Sequence, residues 1–545
     1  MKPTVTVLLL LCVLGSAASA GTGYQIVRLS LGGPEQLDRL ADMNLDYVSE
    51  GYRNPCDIVV SDAQLREIRA RGFSPEIVVP GDVRLAIPPE YHSPAETFHV
   101  FDSLQTLYPD ILHLDTIGYT QWWGRPIWGI RVSDNPAQEE DEPAVLLVGV
   151  THAREPLGTE IIIHLAKYLC SNYASSPLVR RWVDSLEIWL VPVLNLDGNQ
   201  FMFDSVTSFP YWRKNQRDND NNGHFNRDYD GVDLNRNFDW RWTVGGSTSP
   251  SNETYRGPYA ASELEVQAWS QLALTHRPVF GISYHSYSAV VMYPWRYQSQ
   301  PTPDEDVLLT TATRMAQLIG YGVSTSSGSN QSEDWLYARA GQFDFLIETA
   351  RSEFVPRAES IPVICAQNFH ADTFLFNRMF YAGIRGHVKD AATDSPLVAQ
   401  VQVIGRVDTA LAPRVSEPVF GRFHRVLNPG QYDLRFIAAG YDSLLVTGVP
   451  VVAESLTRLE IRLTGPTGIR GNEPGRVCPK LRVVPNPFCQ TTRAPGFEST
   501  RLGLFDAAGS RLPACLGASV GAGLAPGVYF LEAPGGETIR LVKLR

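Results

Sequence analysis

Four largely apolar runs, each closely followed by a polar side chain, constrain most strongly what this 545-residue chain can fold into. Val145-Leu-Leu-Val-Gly-Val150 shows no alternation and gives way to Thr151-His152-Ala153-Arg154-Glu155-Pro156. That pattern predicts a strand covered on both faces, with His152 at its carboxyl end. Gly158 to Leu169 follows with Ile161, Ile162, Leu165 and Leu169 at helical spacing, so strand and helix read as one arm of a parallel sheet. Glu187 to Val193 leads to Asn195, Val279 to Tyr284 leads to His285, and Phe343 to Ile347 leads to Glu348. Ligands of open α/β sheets bind beyond the carboxyl ends of the strands. Side chains far apart in sequence are therefore expected to converge on one edge.

The chemistry of those side chains is specific as a set. Two histidines and a carboxylate that leave a fourth position to water make one kind of catalytic zinc site, and hydrolysis there needs a further, unligated carboxylate as base. His152, Glu155, His285 and Glu348 supply that set. A His-x-x-Glu pair alone is weak, because a chain with eleven histidines is expected to contain one by chance. The weight lies in the company it keeps. In order, the chain carries His152-Ala-Arg-Glu155, Tyr211-Trp-Arg-Lys-Asn215, Gly231-Val-Asp-Leu-Asn-Arg-Asn-Phe238, Tyr255-Arg-Gly-Pro258, Ser283-Tyr-His-Ser-Tyr287, Glu333-Asp-Trp335 and Phe345-Leu-Ile-Glu348. On these stretches, the region from about residue 90 to 380 resembles the zinc metallocarboxypeptidases, the family that includes the pancreatic digestive carboxypeptidases.

The resemblance implies roles residue by residue. His152, Glu155 and His285 would hold one zinc ion, and Glu348 would take a proton from zinc-bound water and later pass one to the leaving amine. Arg213 would stabilise the oxyanion. Asn235 and Arg236 would grip the free C-terminal carboxylate of a peptide or protein, which would make the enzyme an exopeptidase. Asp233 would orient the first ligand histidine, Arg154 would serve a subsite, and Ser286 and Tyr287 would line the cleft. Taken singly, each has a plainer reading. His152 could be a loop histidine, Glu155 a helix-start acid, Arg213 a surface cation, Asn235 to Asn237 a turn and His285 a core histidine.

Two positions depart from the family pattern or turn on it. Counting back from Ser332-Glu-Asp-Trp335 places Ser326 where family members carry a substrate-capping tyrosine, and Tyr321 is the nearest candidate. Glu333 stands where the family's side-chain pocket has its base. An acid there would favour C-terminal Lys or Arg, unless a small gap makes it a loop carboxylate.

Length implies several domains, and the expected fold is α/β: a mixed, mostly parallel sheet flanked by helices. The expected boundaries are a signal peptide at 1–20, an α/β pro-segment at 21–88, the zinc carboxypeptidase-like domain at 89–380, a prealbumin-like β-sandwich at 383–465 and a β-rich domain at 478–545. Lys2, the apolar stretch Val5 to Leu14 and Ala18-Ser19-Ala20 have the pattern of a secretory signal, so the chain is expected to be secreted or held at a cell surface. Residues 21–88 resemble an inhibitory pro-segment, with cleavage expected near Arg84, or else form a permanent N-terminal domain. The C-terminal segment resembles the sorting domains of bacterial secreted proteins, which implies a secretion machinery as partner.

A net charge of −11 argues against nucleic acid, and no later stretch is long enough to span a bilayer. Beyond the signal, six cysteines remain, of which only Cys478 and Cys489 suggest a local disulfide. Asp218-Asn-Asp-Asn-Asn-Gly223 resembles the start of a Ca2+ loop, although its twelfth position is Tyr229; a Ca2+ site and a solvated loop both stay open. Gly517-Ala-Ser-Val-Gly521 fits a nucleophile elbow but reads as a glycine-rich turn. Against the peptidase reading stand a peptidoglycan-trimming carboxypeptidase or related zinc deacylase, and a surface binding protein with an inert cleft.

Overall fold

The computed structural model describes residues 24–33, 36, 39–40, 43, 45–47, 54–79, 87–204, 211–297, 300–326, 329–381, 383–465, 501–506, 511–516, 524–525, 527–532 and 538–543. The expected signal peptide, the cleavage point near Arg84, Cys478, Cys489 and the Gly517 to Gly521 turn lie outside these residues. Among the described residues, Cys56, Cys170 and Cys365 are buried free thiols, and no helix is long and apolar enough to cross a membrane.

The N-terminal region forms β1 (Tyr24–Leu29), β2 (Asp46–Tyr47), β3 (Cys56–Ser61), α1 (Asp62–Ala70) and β4 (Glu76–Val79). The strands make a sheet in the order β2-β3-β1-β4. Ser61 starts α1 with a capping box: its side chain accepts from Gln64 N while the Gln64 side chain accepts from Ser61 N. The small α/β unit expected from the sequence is thus present, with its own core of Val27, Leu29, Ile58, Val60 and Ile68.

The next region runs α2 (Pro94–Leu107), β5 (Leu112–Tyr119), β6 (Pro126–Val132), β7 (Ala144–Val148), α3 (Leu157–Asn172), α4 (Pro177–Val183), β8 (Glu187–Val191), α5 (Leu196–Asp204), α6 (Leu264–His276), β9 (Phe280–Ser286), β10 (Val290–Tyr293), a short hairpin of β11 (Arg296–Tyr297) and β12 (Gln300–Pro301), α7 (Glu305–Ile319), β13 (Gly322–Thr325), α8 (Ser332–Trp335), β14 (Phe343–Thr349) and α9 (Ile361–Arg378). Eight strands form one sheet in the order β13-β10-β14-β9-β7-β8-β6-β5. Its middle, β14-β9-β7-β8, is parallel throughout, and every residue of these four strands is buried. This is why their sequences read as unbroken apolar runs. The flanking pairs β10·β14, β6·β8 and β5·β6 are antiparallel. Helices cover both faces, and Gly149 and Gly158 let β7 and α3 meet backbone to backbone. A Cβ on Gly149 would stand 2.7 Å from Pro192 O and 3.0 Å from Gly158 C.

The following region holds two three-stranded sheets. One is β17 (Arg422–Val426), β15 (Gly383–Asp390) and β20 (Leu456–Leu463); the other is β16 (Ala399–Val403), β18 (Gly430–Ala438) and β19 (Leu444–Val451). Ile384, Phe423 and Ile461 of one and Val401, Leu434 and Phe436 of the other are buried, with the Phe423 and Phe436 rings 5.4 Å apart. The last region forms an antiparallel sheet, β22-β21-β23-β24, of β21 (Arg501–Asp506), β22 (Arg511–Leu516), β23 (Gly527–Glu532) and β24 (Thr538–Lys543). It belongs to a separate compact unit made of Ala438–Asp442 and Thr464–Arg545.

Candidate active site

Strand ends bring the expected residues together, with one difference of detail. β9 continues to Ser286 and β14 to Thr349, so His285 and Glu348 are the penultimate residues of their strands rather than lying beyond them. They are register partners, and side chains opposite each other on neighbouring strands share a face. Beyond β7, the sharp loop to α3 carries His152 and Glu155.

The three candidate ligand side chains are buried and converge. His152 Nδ1 lies 2.9 Å from Glu155 Oε1 and 3.0 Å from His285 Nδ1, and His285 Nδ1 lies 3.0 Å from Glu155 Oε2. Two atoms each about 2.0 Å from one tetrahedral centre stand roughly 3.3 Å apart, so these separations fit a single zinc ion with little adjustment. The electrostatics agree. Burial and Arg213 disfavour a positive His152, yet Glu155 and Asp233 outweigh them and raise its pKa; the pocket favours a cation. Burial alone would raise the Glu155 carboxyl, but His152 and His285 hold it well below the ordinary carboxylate range.

Asp233 ties the metal group to the cations. It accepts from His152 Nε2 at 3.2 Å, from Arg213 Nε at 2.9 Å and from the backbone N–H of Asn235 at 2.9 Å. Burial opposes its charge, but Arg213, Arg236 and His152 more than compensate and keep it ionised. The bond from His152 Nε2 leaves Nδ1 for the metal, the arrangement a ligand histidine needs. Gly231 precedes this stretch at φ +83°, and a Cβ there would lie 2.5 Å from Asn215 O, so glycine permits the close approach to the Arg213 loop.

Asn235 and Arg236 lie on a short 3-10 turn, Leu234–Arg236. Asn235 Oδ1 accepts from Ser332 N at 2.8 Å, while its buried Nδ2 has no acceptor among the described residues. Arg236 Nη1 donates to Asn235 O at 2.9 Å, and Asn330 holds the Arg236 carbonyl. Glu333 is fully buried, with Ser332 Oγ donating to its Oε2 at 3.3 Å. Ser326, at the position expected for a capping tyrosine, is buried and bonds Asp334. Tyr321 packs against the core and accepts from Asn368 Nδ2 at 3.4 Å.

Arg154, Ser286 and Tyr287 form a wall with Phe354. The Arg154 guanidinium lies 4.2 Å from the Phe354 ring centroid, Ser286 Oγ donates to Phe354 O at 3.1 Å, and the Tyr287 and Phe354 rings are 5.0 Å apart. The N-terminal sheet covers this wall. Asp46 of β2 pairs with Arg154, with one bond of 3.0 Å, and Asp57 of β3 accepts from Tyr287 at 3.2 Å and is held by Arg28. Asp46 and Asp57 escaped sequence reasoning, because nothing local marks an acid whose partner lies 108 or 230 residues away. Elsewhere, ligand atoms of Asp218, Asp220 and Asp230 lie within 4.8 Å of one another. The third acid is Asp230, one place beyond Tyr229.

A model of the family described as zinc carboxypeptidase matches residues 98–371. The zinc carboxypeptidase of Saccharothrix mutabilis subsp. capreolus is 33% identical over 269 residues, which span 45% of this chain and 59% of that protein. Carboxypeptidase A1 of Rattus norvegicus is 28% identical over 392 residues, 62% of this chain and 90% of that protein. The crystal structure of carboxypeptidase A from Helicoverpa armigera superposes with a TM-score of 0.56 at 20% identity, over 65% of this chain and 96% of that one, and so shares the fold. The matched span is half of the chain and contains all three metal-ligand candidates, Arg213, the Asn235-Arg236 turn and Glu348: the protein belongs to the zinc carboxypeptidase family.

Proposed function

We propose that this chain hydrolyses the C-terminal peptide bond of peptides and proteins, releasing one residue at a time. The observation that carries the reading is the convergence of His152, Glu155 and His285 on one point, with Asp233 linking them to Arg213 and to the Asn235 turn. When bound there, zinc supplies Lewis acidity that polarises a carbonyl and lowers the pKa of water towards about 7. Glu348, beside His285 on the sheet, accepts the proton of the attacking water and delivers it to the leaving amine. Arg213 is already oriented by Asp233, so it meets the developing oxyanion without reorganising.

Asn235 and Arg236 read the free terminus: the unused Nδ2 of Asn235 and the guanidinium of Arg236 are donors for a carboxylate. Buried Glu333 gives a lean towards terminal Lys or Arg, because an acid taken out of water favours a cationic partner. The N-terminal region acts as an inhibitory pro-segment, supported by Asp46 and Asp57 bonding subsite side chains. Export rests on the composition of residues 1–20, and sorting on the pattern of the C-terminal segment.

Residue release from a peptide panel varying the terminal side chain, run with and without chelator, tests the reading. Release of single C-terminal residues, fastest for Lys and Arg, abolished by chelator and absent for C-terminally amidated peptides, is expected. Cleavage of amidated peptides at the same rate refutes the carboxylate clamp, and activity confined to peptidoglycan peptides selects the trimming alternative.

A further inference from the structure

Six side chains of the β17-β15-β20 sheet form a grid on the face turned towards the catalytic domain. Register sets His424, Arg385 and Arg458 side by side in one row. Two residues along, Arg422, His387 and Glu460 form the next. The second row is neutralised. His387 lies 2.9 Å from Glu460 Oε1 and 2.8 Å from Asp141 Oδ2, and Arg422 Nη1 is 3.3 Å from Asp141 Oδ1.

The first row contains no acid. Arg385 and Arg458 make no side-chain hydrogen bond or ion pair within the described residues. Burial lowers the pKa of Arg385 and Arg458 lowers it further, outweighing the opposing pull of Asp141. His424 is pushed down to about 3 by burial and by Arg385, Arg378 and Arg422. Like charges opposite each other on adjacent strands destabilise a sheet. Nor is the row a by-product of a basic composition, since acids outnumber Lys and Arg by 58 to 47. Local conflicts of this kind are expected at functional or strained sites.

There is room for one. All six grid residues border an open pocket of about 140 Å³ that Asp141 and Pro143 of the catalytic domain also line. This is space for several waters or one small ion. A second cavity of about 80 Å³ shares Arg422 and His424 and adds Arg277, Arg414 and Arg425 around the single acid Glu417. The Arg414 Nη2 atom is buried without an acceptor. Positive charge thus runs along the seam between the two domains.

We propose that this seam binds a small phosphate-class oxyanion, gripped by the guanidinium groups of Arg385 and Arg458 beside His424. Guanidinium forks match the oxygens of phosphate, and two forks on one void favour a multivalent oxyanion over a single carboxylate. The anion would neutralise the first row as Asp141 and Glu460 neutralise the second, joining the β-sandwich to the catalytic domain by charge.

The test is titration of the full chain with inorganic phosphate and with glycerol 3-phosphate, followed by calorimetry and thermal melting at constant ionic strength. Saturable binding that raises the Tm is expected, at least about tenfold weaker in Arg385→Gln and in the exposed Arg458→Gln; whichever anion binds more tightly identifies a free or an esterified phosphate as the source. Without anion, both variants should melt no lower than the parent and cleave peptides at its rate, because they remove repulsion and lie outside the catalytic machinery. Unchanged binding in the double variant, an equal Tm rise from chloride, or a variant that loses Tm and activity without anion would overturn the proposal.

Discussion

Asp233 does more than any single ligand to define the site, since three donors of different kinds end on its two oxygens. Asp233→Asn keeps the shape but removes the charge that orients His152 and Arg213. It should weaken zinc affinity by about 10- to 100-fold and lower kcat, read by metal titration and peptide hydrolysis. Glu348→Gln should instead retain zinc while kcat falls by roughly 10²- to 10⁴-fold, a split visible when metal content and turnover are measured on one sample. His152, His285 and Glu348 stood out because each follows an apolar run with a residue that is costly to bury alone, whereas Arg213 and the Asn235 turn were marked only by motifs shared with the family. Asp46 was not, because its meaning lies in a partner that only the folded chain brings near. Ser326 and Tyr321 show the converse: counting along the chain fixes a position but not whether its side chain faces solvent or core.

At the scale of elements, the four buried strands were readable from unbroken apolar composition, while strand direction at the sheet's edges was not, since periodicity is blind to it. The carboxyl ends of β9 and β14 also extended by two residues, which moved His285 and Glu348 into the ladder. Close packing between elements gives two predictions. Gly198 opens α5, and a Cβ there would lie 2.4 Å from Lys214 O and 2.6 Å from Asn195 Oδ1. Gly198→Ala must displace the backbone next to Arg213, costing about 1–3 kcal/mol in denaturant unfolding with a larger proportional loss in kcat. His92, just before α2, pairs with Glu160 of α3 at 2.9 Å, a hydrogen bond that outweighs burial and raises its pKa. A raised histidine stabilises the fold fully below its unfolded pKa of about 6.5, and that contribution is lost as pH rises through the folded value. Glu160→Gln should therefore cost about 1 kcal/mol at pH 5.5 and progressively less as pH rises past about 6.5, measured by unfolding across that range.

For the molecule as a whole, the Arg154–Asp46 pair fastens the N-terminal sheet to the wall formed by Arg154, Ser286, Tyr287 and Phe354. Both partners are buried, and removing one strands a charge, at a cost of about 3–5 kcal/mol. Asp46→Ala should loosen the N-terminal region and raise the peptidase rate of the uncut chain, whereas unchanged activity would make that region a permanent domain. The docking was not legible in sequence, because contacts between regions leave no periodic trace.

The pairing of His285 with Glu348 carries a last implication. The proposed base and the candidate metal ligand face each other across one rung of the ladder, in strands joined by seven rungs of register. Their separation is therefore a property of the backbone, fixed before any loop is placed. Reshaping the loops around them to admit new termini should change what is cut while leaving the cutting tool in alignment.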